Sequence, residues 1–292
     1  MKRGPRQTAT TSDIDVREKS DPRQSPLFIG STEKAFQVLH AFDSAHRQMP
    51  LSTIAKLAGL DRSATQRLVH TLETLGYLRR VPDTRDYTLT PKLLQFGYNY
   101  LRGNELVRRA APYLLDVSRS VGETTNLHEL DGTDIVYLAR FPGQHIINVE
   151  IMVGSRLPAV LTASGTAMLS RSPQTVVDDI LERSRLTPLT GQSVVDPSRL
   201  RERIDTARER GYAIIANETV LGDVSVASSI TDEHGQAIAG ISISVLTTRW
   251  TVERVESELA KHVQLVAASL SLAKISGAIR APGGCANQSK KV

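Results

Sequence analysis

Gly59 narrows the fold of this chain more than any other residue, because it ends one short apolar-periodic run and leaves only a three- or four-residue turn before a second begins. The first run has Ser52 or Thr53 as N-cap and Ile54, Leu57 and Ala58 directed inward. Leu60 packs inward after the glycine, and Asp61 or Ser63 caps the second run. In that run Ala64, Leu68, Leu72 and Leu75 recur at steps of four, four and three, one stripe of a helix. Arg62, Ser63, Gln66, His70 and Glu73 fall on the opposite face, with Arg67 at its edge.

The flanks extend the pattern. A helix over roughly Ser31 to Ala45 offers Ala35, Val38, Leu39 and Phe42 as a third wall. After Gly76, Tyr77 to Val81 and Tyr87 to Leu89 are two β-prone runs separated by Pro82 to Asp86, which predicts a hairpin carrying Arg79, Arg80 and Arg85. Helix, tight turn, polar second helix and basic hairpin, in that order, predict a winged helix-turn-helix over 27–90, with the helix-turn-helix at about 51–76 and the wing at 77–89. Such a module reads double-stranded DNA. Arg62, Ser63, Gln66 and Arg67 are placed at base edges, with Thr65 among the contacts of the same helix. Ser52, His70, Arg79, Arg80 and Arg85 are placed on phosphates. A three-helix domain of this kind also serves as a protein-binding module, and a charged helix face is often plain solvated surface.

Charge distribution favours the nucleic-acid reading. The chain carries a net +5, but residues 27–103 hold ten Lys and Arg against six Asp and Glu, whereas 104–275 hold seventeen against twenty-one. A polyanion is attracted to the front of the molecule and mildly repelled by the rest. The acidic second half also fits an RNA-binding adaptor poorly, and at 4% aromatic residues there is no evident base-stacking platform.

At 292 residues and 40% hydrophobic content, about two domains with sizeable cores are expected. The single cysteine, Cys285, excludes an intrachain disulfide and a thiolate zinc site. Residues 1–26 read as a disordered arm without the apolar stretch of a signal peptide, and 277–292 as a flexible tail. No segment approaches the roughly 18 to 20 apolar residues that span a bilayer, so a cytoplasmic protein is expected.

Thr90 caps a predicted helix starting at Pro91, and 91–104 is read as a linker helix. The helical pattern continues past Gly103 to about Ser120, with Pro112 as break or new start. Leu94, Tyr98, Leu101 and Leu106 serve equally for pairing with a second chain or for packing within this one. Residues 105–276 then read as strands at Glu123–Leu130, Ile135–Arg140 and Ile146–Val153, broken by Asp131-Gly132 and Pro142-Gly143. Helices come next at Leu161–Arg171, Thr175–Arg183 and Pro197–Gly211, then strands at Tyr212–Ala216, Asp223–Thr231 and Ala237–Leu246, and a last helix from Thr251 to Ile275. That order predicts an α+β domain with an antiparallel sheet.

Two strands alternate informatively. Ser225, Ala227 and Ser229 share one face of their strand, and Ser242 and Ser244 share one face of the next. Such a small, hydroxylated face is either wet or the wall of a ligand cavity. Gly154 to Pro158, including Leu157, and the helix start Thr162-Ala163-Ser164-Gly165 offer a second wall, whose free N–H groups favour a carboxylate. Asn126 and His128 alternate on a nearby strand and add polar contacts.

Ser31-Thr32-Glu33-Lys34-Ala35, Thr65 to Val69, Gly76-Tyr77-Leu78, Gly154 to Ala159, Gly211 to Ile214 and Ile241 to Ser244, in fixed order, resemble the IclR family of bacterial transcription regulators. The resemblance runs from about Leu27 to Ile275. It implies a linker helix joining the winged helix-turn-helix to a GAF-like effector-binding domain, a homodimer or dimer of dimers, and control of operons for aromatic or small organic acids or for efflux. No cofactor or metal is implied. Ile215 to Glu218 replace an acidic run, and Ser225 and Ser229 stand where the family often has cysteine and proline, so the effector is not inherited. The competing reading is a hydrolase built on Ser164, His128 and an aspartate. Against it, the chain lacks a Gly-x-Ser-x-Gly elbow, a Walker loop, a Gly-x-Gly-x-x-Gly loop and zinc-spaced His/Glu pairs.

Overall fold

The computed structural model describes residues 21–145 and 151–271, and the chain divides into two compact units between Phe96 and Gly97. In the first unit α1 (Gly30–His40), β1 (Met49–Pro50), α2 (Leu51–Ala58), α3 (Arg62–Thr74), β2 (Leu78–Arg80) and β3 (Asp86–Leu89) succeed one another. The strands form an antiparallel sheet ordered β1-β3-β2. Val38, Phe42, Ile54, Val69, Leu72, Leu78 and Tyr87 close one core.

The turn between α2 and α3 has the expected chemistry. Gly59 is left-handed at φ 67°, the Leu60 N–H donates to the Ala55 carbonyl, and the Asp61 carboxylate accepts from the Ala64 N–H at 2.8 Å. Three details differ from the periodicity. Pro50 precedes the first turn of α2, so Ser52 and Thr53 lie inside the helix and neither caps it. Leu57 is exposed. On α3 the buried row is Thr65, Val69 and Leu72, while Ala64 and Leu68 are half-buried and Leu75 is exposed. The stripe is rotated so that a threonine sits at its centre, and its hydroxyl donates to the Asp61 carbonyl at 2.8 Å, so burial leaves no polar group unpaired.

Thr90 caps one tight turn at Pro91–Leu93 that runs into α4 (Leu94–Gly103). Helix α5 (Glu105–Val121) starts afresh, capped by the Asn104 side chain on the Val107 N–H at 3.1 Å. The break therefore falls at Gly103 and Asn104, and Pro112 lies within α5. Leu101 and Leu106 pack onto their own unit's core, whereas Leu94 and Tyr98 are exposed.

The second unit is built on six antiparallel strands: β4 (Thr124–Asp131), β5 (Asp134–Phe141), β6 (Arg156–Pro158), β7 (Ala213–Ala216), β8 (Asp223–Thr231) and β9 (Ala237–Leu246), ordered β6-β5-β4-β9-β8-β7. Asp131 and Gly132 make the β4-β5 turn, with Gly132 at φ 63°. Of the strand expected at 146–153, residues 146–150 lie outside the described residues and 151–153 are irregular; β6 pairs with β5 instead. Of the arm expected to be disordered over 1–26, residues 1–20 lie outside the described residues, while 21–26 contain a 3-10 turn at Pro22–Gln24 capped by the Asp21 side chain; the end of the last helix beyond Ser271 and the tail also lie outside them.

One face of the sheet carries Leu127, Val224, Val226, Ile241, Ile243 and Val245 against α5 and the final helix. That helix runs through α9 (Val252–Arg254), a π-helical stretch (Val255–Leu259) and α10 (Ala260–Leu270). Helix α6 (Ala163–Leu169), capped by Thr162, lies on the other face, with α7 (Gln174–Arg183) and α8 (Pro197–Arg210) beyond it. The molecule is α+β.

Candidate functional site

Arg62, Ser63, Gln66, Arg67 and His70 all lie exposed along α3, as their helical positions require. Thr65 does not join them: it is fully buried with its hydroxyl committed to the Asp61 carbonyl, so it cannot touch a duplex. Ser52 is exposed in the first turn of α2. Arg79, Arg80 and Arg85 are exposed on the hairpin, where Asp83 takes φ 57° at the turn. The Arg80 guanidinium lies 3.5 Å from the Glu73 carboxylate and over the Tyr87 ring, which ties the wing to the end of α3.

In the second unit the hydroxylated face of the sheet is roofed by α6. Strand register sets its rows: Ala227, Ser242, Asn126 and Arg140 lie side by side, Ser225 and Ser244 pair in a flanking row, and Gly240, His128 and Tyr137 form the next. Asn126 is completely buried, its amide donating to Ser242 at 3.1 Å and its carbonyl accepting from Arg140 at 3.0 Å. The Ser225 and Ser244 hydroxyls are 2.9 Å apart, and Ser225 donates to Asp223 at 2.7 Å.

These elements enclose a small cavity lined by His128, Tyr137, Arg140, Ala163, Ser164, Asp223, Ser225, Ser242 and Ser244, among others. Its volume is about 30 Å³, the scale of one water, so a ligand of several heavy atoms requires surrounding side chains to give way. A larger groove of about 900 Å³ lies between α7 and α8, but Asp178, Glu182, Glu202, Asp205 and Glu209 line it and would repel a carboxylate.

The remaining expected residues have other work. Gly154 is an exposed turn residue at φ 90° whose N–H donates to the Tyr137 carbonyl. Leu157 belongs to β6 and packs on the core beneath α7. Ala227 is buried against Ala163, Ala167 and Ala213. Gly165 is where α6 presses on the chain before it: a Cβ there would stand 2.0 Å from the Ala159 carbonyl oxygen. Asn126 orders the wall from behind. Thr162 lines the cavity with the helix start it was read from, whereas Tyr137, Arg140, Thr219 and Asp223 are wall residues that the sequence did not single out. Arg140 and Asp223, charges at the ends of apolar strands, were the legible signal.

Burial sets the protonation of this site. It pushes the His128 imidazole down to about 3, so the ring is neutral, and pushes the Asp223 carboxyl up to about 6 and the Tyr137 phenol up to about 12. Ser164 and His128 do meet, Oγ to Nδ1 at 2.8 Å, yet among the described residues no carboxylate orients the imidazole, and its Nε2 has no hydrogen-bond partner there. Among the described residues, the third member of a hydrolytic triad is missing from its place.

An exposed polar helix after a tight turn, and a polar cavity in a separate unit, define a ligand-responsive DNA-binding regulator. Comparison with known proteins agrees. Residues 31–82 match the family model of the IclR helix-turn-helix domain, and 98–272 that of the bacterial transcriptional regulator IclR C-terminal domain. The Pca regulon regulatory protein of Pseudomonas putida is 33% identical over 232 residues, 79% of each chain. A solved transcriptional regulator of Rhodococcus sp. RHA1 is 31% identical, with TM-score 0.70 over 83% of this chain and 97% of that one. An IclR homologue of Microbacterium hydrocarbonoxydans, solved with 4-hydroxybenzoate, shares the fold at 24% identity and TM-score 0.66, covering 82% of this chain and 97% of its own. The chain belongs to the IclR family of bacterial transcriptional regulators.

Proposed function

We propose that this protein binds operator DNA in the cytoplasm as a homodimer or dimer of dimers, controls a catabolic operon, and changes its operator affinity when a small carboxylic acid occupies the pocket. Arg62, Ser63, Gln66 and Arg67 read base edges from the major groove, and Ser52, His70, Arg79, Arg80 and Arg85 hold phosphates. The observation that carries this reading is the exposure of Arg62, Ser63, Gln66, Arg67 and His70 on α3 while its other side seals the core. Exposed Leu94, Phe96, Tyr98 and Tyr100 on α4 support pairing with a second copy. The chain acts by binding and not by turnover, which the regulatory names of its relatives and the missing triad member favour. No described helix is long and apolar enough to cross a membrane.

For the effector, Arg140 supplies a cation beside Ser242 and Ser244, which suits a carboxylate, and the Microbacterium relative was solved with an aromatic one. Occupancy is expected to shift operator affinity by about 1 to 3 kcal/mol, the usual size of such coupling. Electrophoretic mobility shift with DNA from upstream of the protein's own gene tests the reading. Binding should weaken with salt and with Arg67→Ala; unchanged binding by that variant removes the recognition-helix assignment. In thermal-shift titration with 4-hydroxybenzoate and other small acids, Ser242→Leu should abolish the stabilisation seen in the wild-type protein.

A further inference from the structure

The polar wall of the pocket has two ends, and only one is explained by a carboxylate. On the reading above, Arg140, Ser242 and Ser244, which line the cavity together with Asp223, take the carboxylate. One row along β4, about 6.8 Å at ~3.4 Å per residue, stands His128, 1% exposed and in the cavity lining. Its Nδ1 is held by Ser164 at 2.8 Å and its ring lies edge-on to Tyr137, with centroids 4.3 Å apart. The ring's other polar contact is the Gly240 backbone, and its Nε2 is buried with no hydrogen-bond partner among the described residues. Native interiors rarely leave such an atom unsatisfied, so a polar partner is expected there.

We propose that the effector is a hydroxylated monocarboxylic acid, with its carboxylate at Arg140, Ser242 and Ser244 and its hydroxyl hydrogen-bonded to His128 Nε2, so that His128 selects hydroxy acids over their deoxy analogues. This rests on the pocket reading above and goes beyond it by naming the second group recognised. Burial keeps the imidazole neutral, so it is no charge partner for a second carboxylate. A neutral ring nitrogen does match a hydroxyl, which donates or accepts according to the tautomer that Ser164 fixes. The row spacing is also close to the span from a carboxyl carbon to a para substituent across a benzene ring, although an aliphatic hydroxy acid presents the same two groups.

The test is calorimetric titration of the full chain with two matched pairs, 4-hydroxybenzoate against benzoate and glycolate against acetate. The pair that shows discrimination identifies the aromatic or aliphatic source. In one pair the hydroxy acid should bind at least about tenfold tighter, since a site built around a hydrogen bond rejects the analogue that lacks it. His128→Phe should bring that ratio to about one, whatever it does to the affinity for either acid taken alone. His128→Gln, which restores a hydrogen-bonding group, should recover part of the preference and serves where His128→Phe does not fold. Arg140→Gln should weaken both members of the pair alike. Equal affinities within both pairs, with Arg140→Gln still weakening them, overturn the role of His128 and leave the pocket intact. A preference that survives His128→Phe also overturns it. If no member of either pair binds the wild-type chain, the pocket reading and this inference fall together.

Discussion

The molecule presents two polar faces, one rich in arginine and one in serine, and they end in opposite environments. On α3, Arg62, Ser63, Gln66, Arg67 and His70 face solvent because the apolar side of the same helix has already closed a small core. On β8 and β9, Ser225, Ser242 and Ser244 are drawn beneath α6 and bonded to Asn126 and one another. An exposed polar face can meet a large rigid partner such as a duplex without rearrangement. A roofed one can take only something small enough to sit among its hydroxyls, and it is where burial shifts ionisation, as at Asp223 and His128.

The roof can be broken first. Gly165→Ala places a methyl group 2.0 Å from the Ala159 carbonyl oxygen, so α6 must move, and a loss of roughly 3 kcal/mol or more of stability is expected from such overpacking. Chemical denaturation measures it, and a wild-type midpoint would show that α6 does not clamp the pocket. Next comes the open face: Arg67→Ala should cost about 1 to 3 kcal/mol of operator affinity and leave the melting temperature within error. If the melting temperature fell instead, Arg67 would belong to the core and the contrast would vanish.

A third measurement sharpens the difference through pH. The folded-state pKa of Asp223 is raised from 3.8 to about 6, so the folded chain holds this proton more tightly. The resulting stability is full below pH 4 and lost as pH rises through 6. Asp223→Asn should therefore stabilise the protein by about 1 to 3 kcal/mol at about pH 8, with the gain gone near pH 4; thermal melts at the two pH values decide, and a gain equal at both contradicts the assignment. His128 titrates in the opposite sense, its stability being full above 6.5 and lost toward 3, so the comparison must be made against the wild type at each pH. The smallest effect marks the boundary between the faces. Thr65→Val should leave operator affinity unchanged and cost about 1 kcal/mol or less of stability, because only a local hydroxyl-to-carbonyl bond is lost.

Periodicity and turn chemistry by themselves determined the order of the elements apart from β6, the tight turn at Gly59, a cap at Asp61 or Ser63, the hairpin at Gly132 and the serine faces of β8 and β9, because each depends on residues close in sequence. They placed the break at Pro112 and not at Asn104, since a side-chain cap and a proline give equal local signals. Tertiary structure alone decided that Thr65 is buried, that Leu157 is a core strand residue, that Ala227 packs on α6, and that Tyr137, Arg140 and Asp223 join the serines. Those outcomes depend on strand register and on which helix covers which face, quantities fixed by contacts between distant segments. A pattern along one segment carries the period of its own face and no information about what will lie against it.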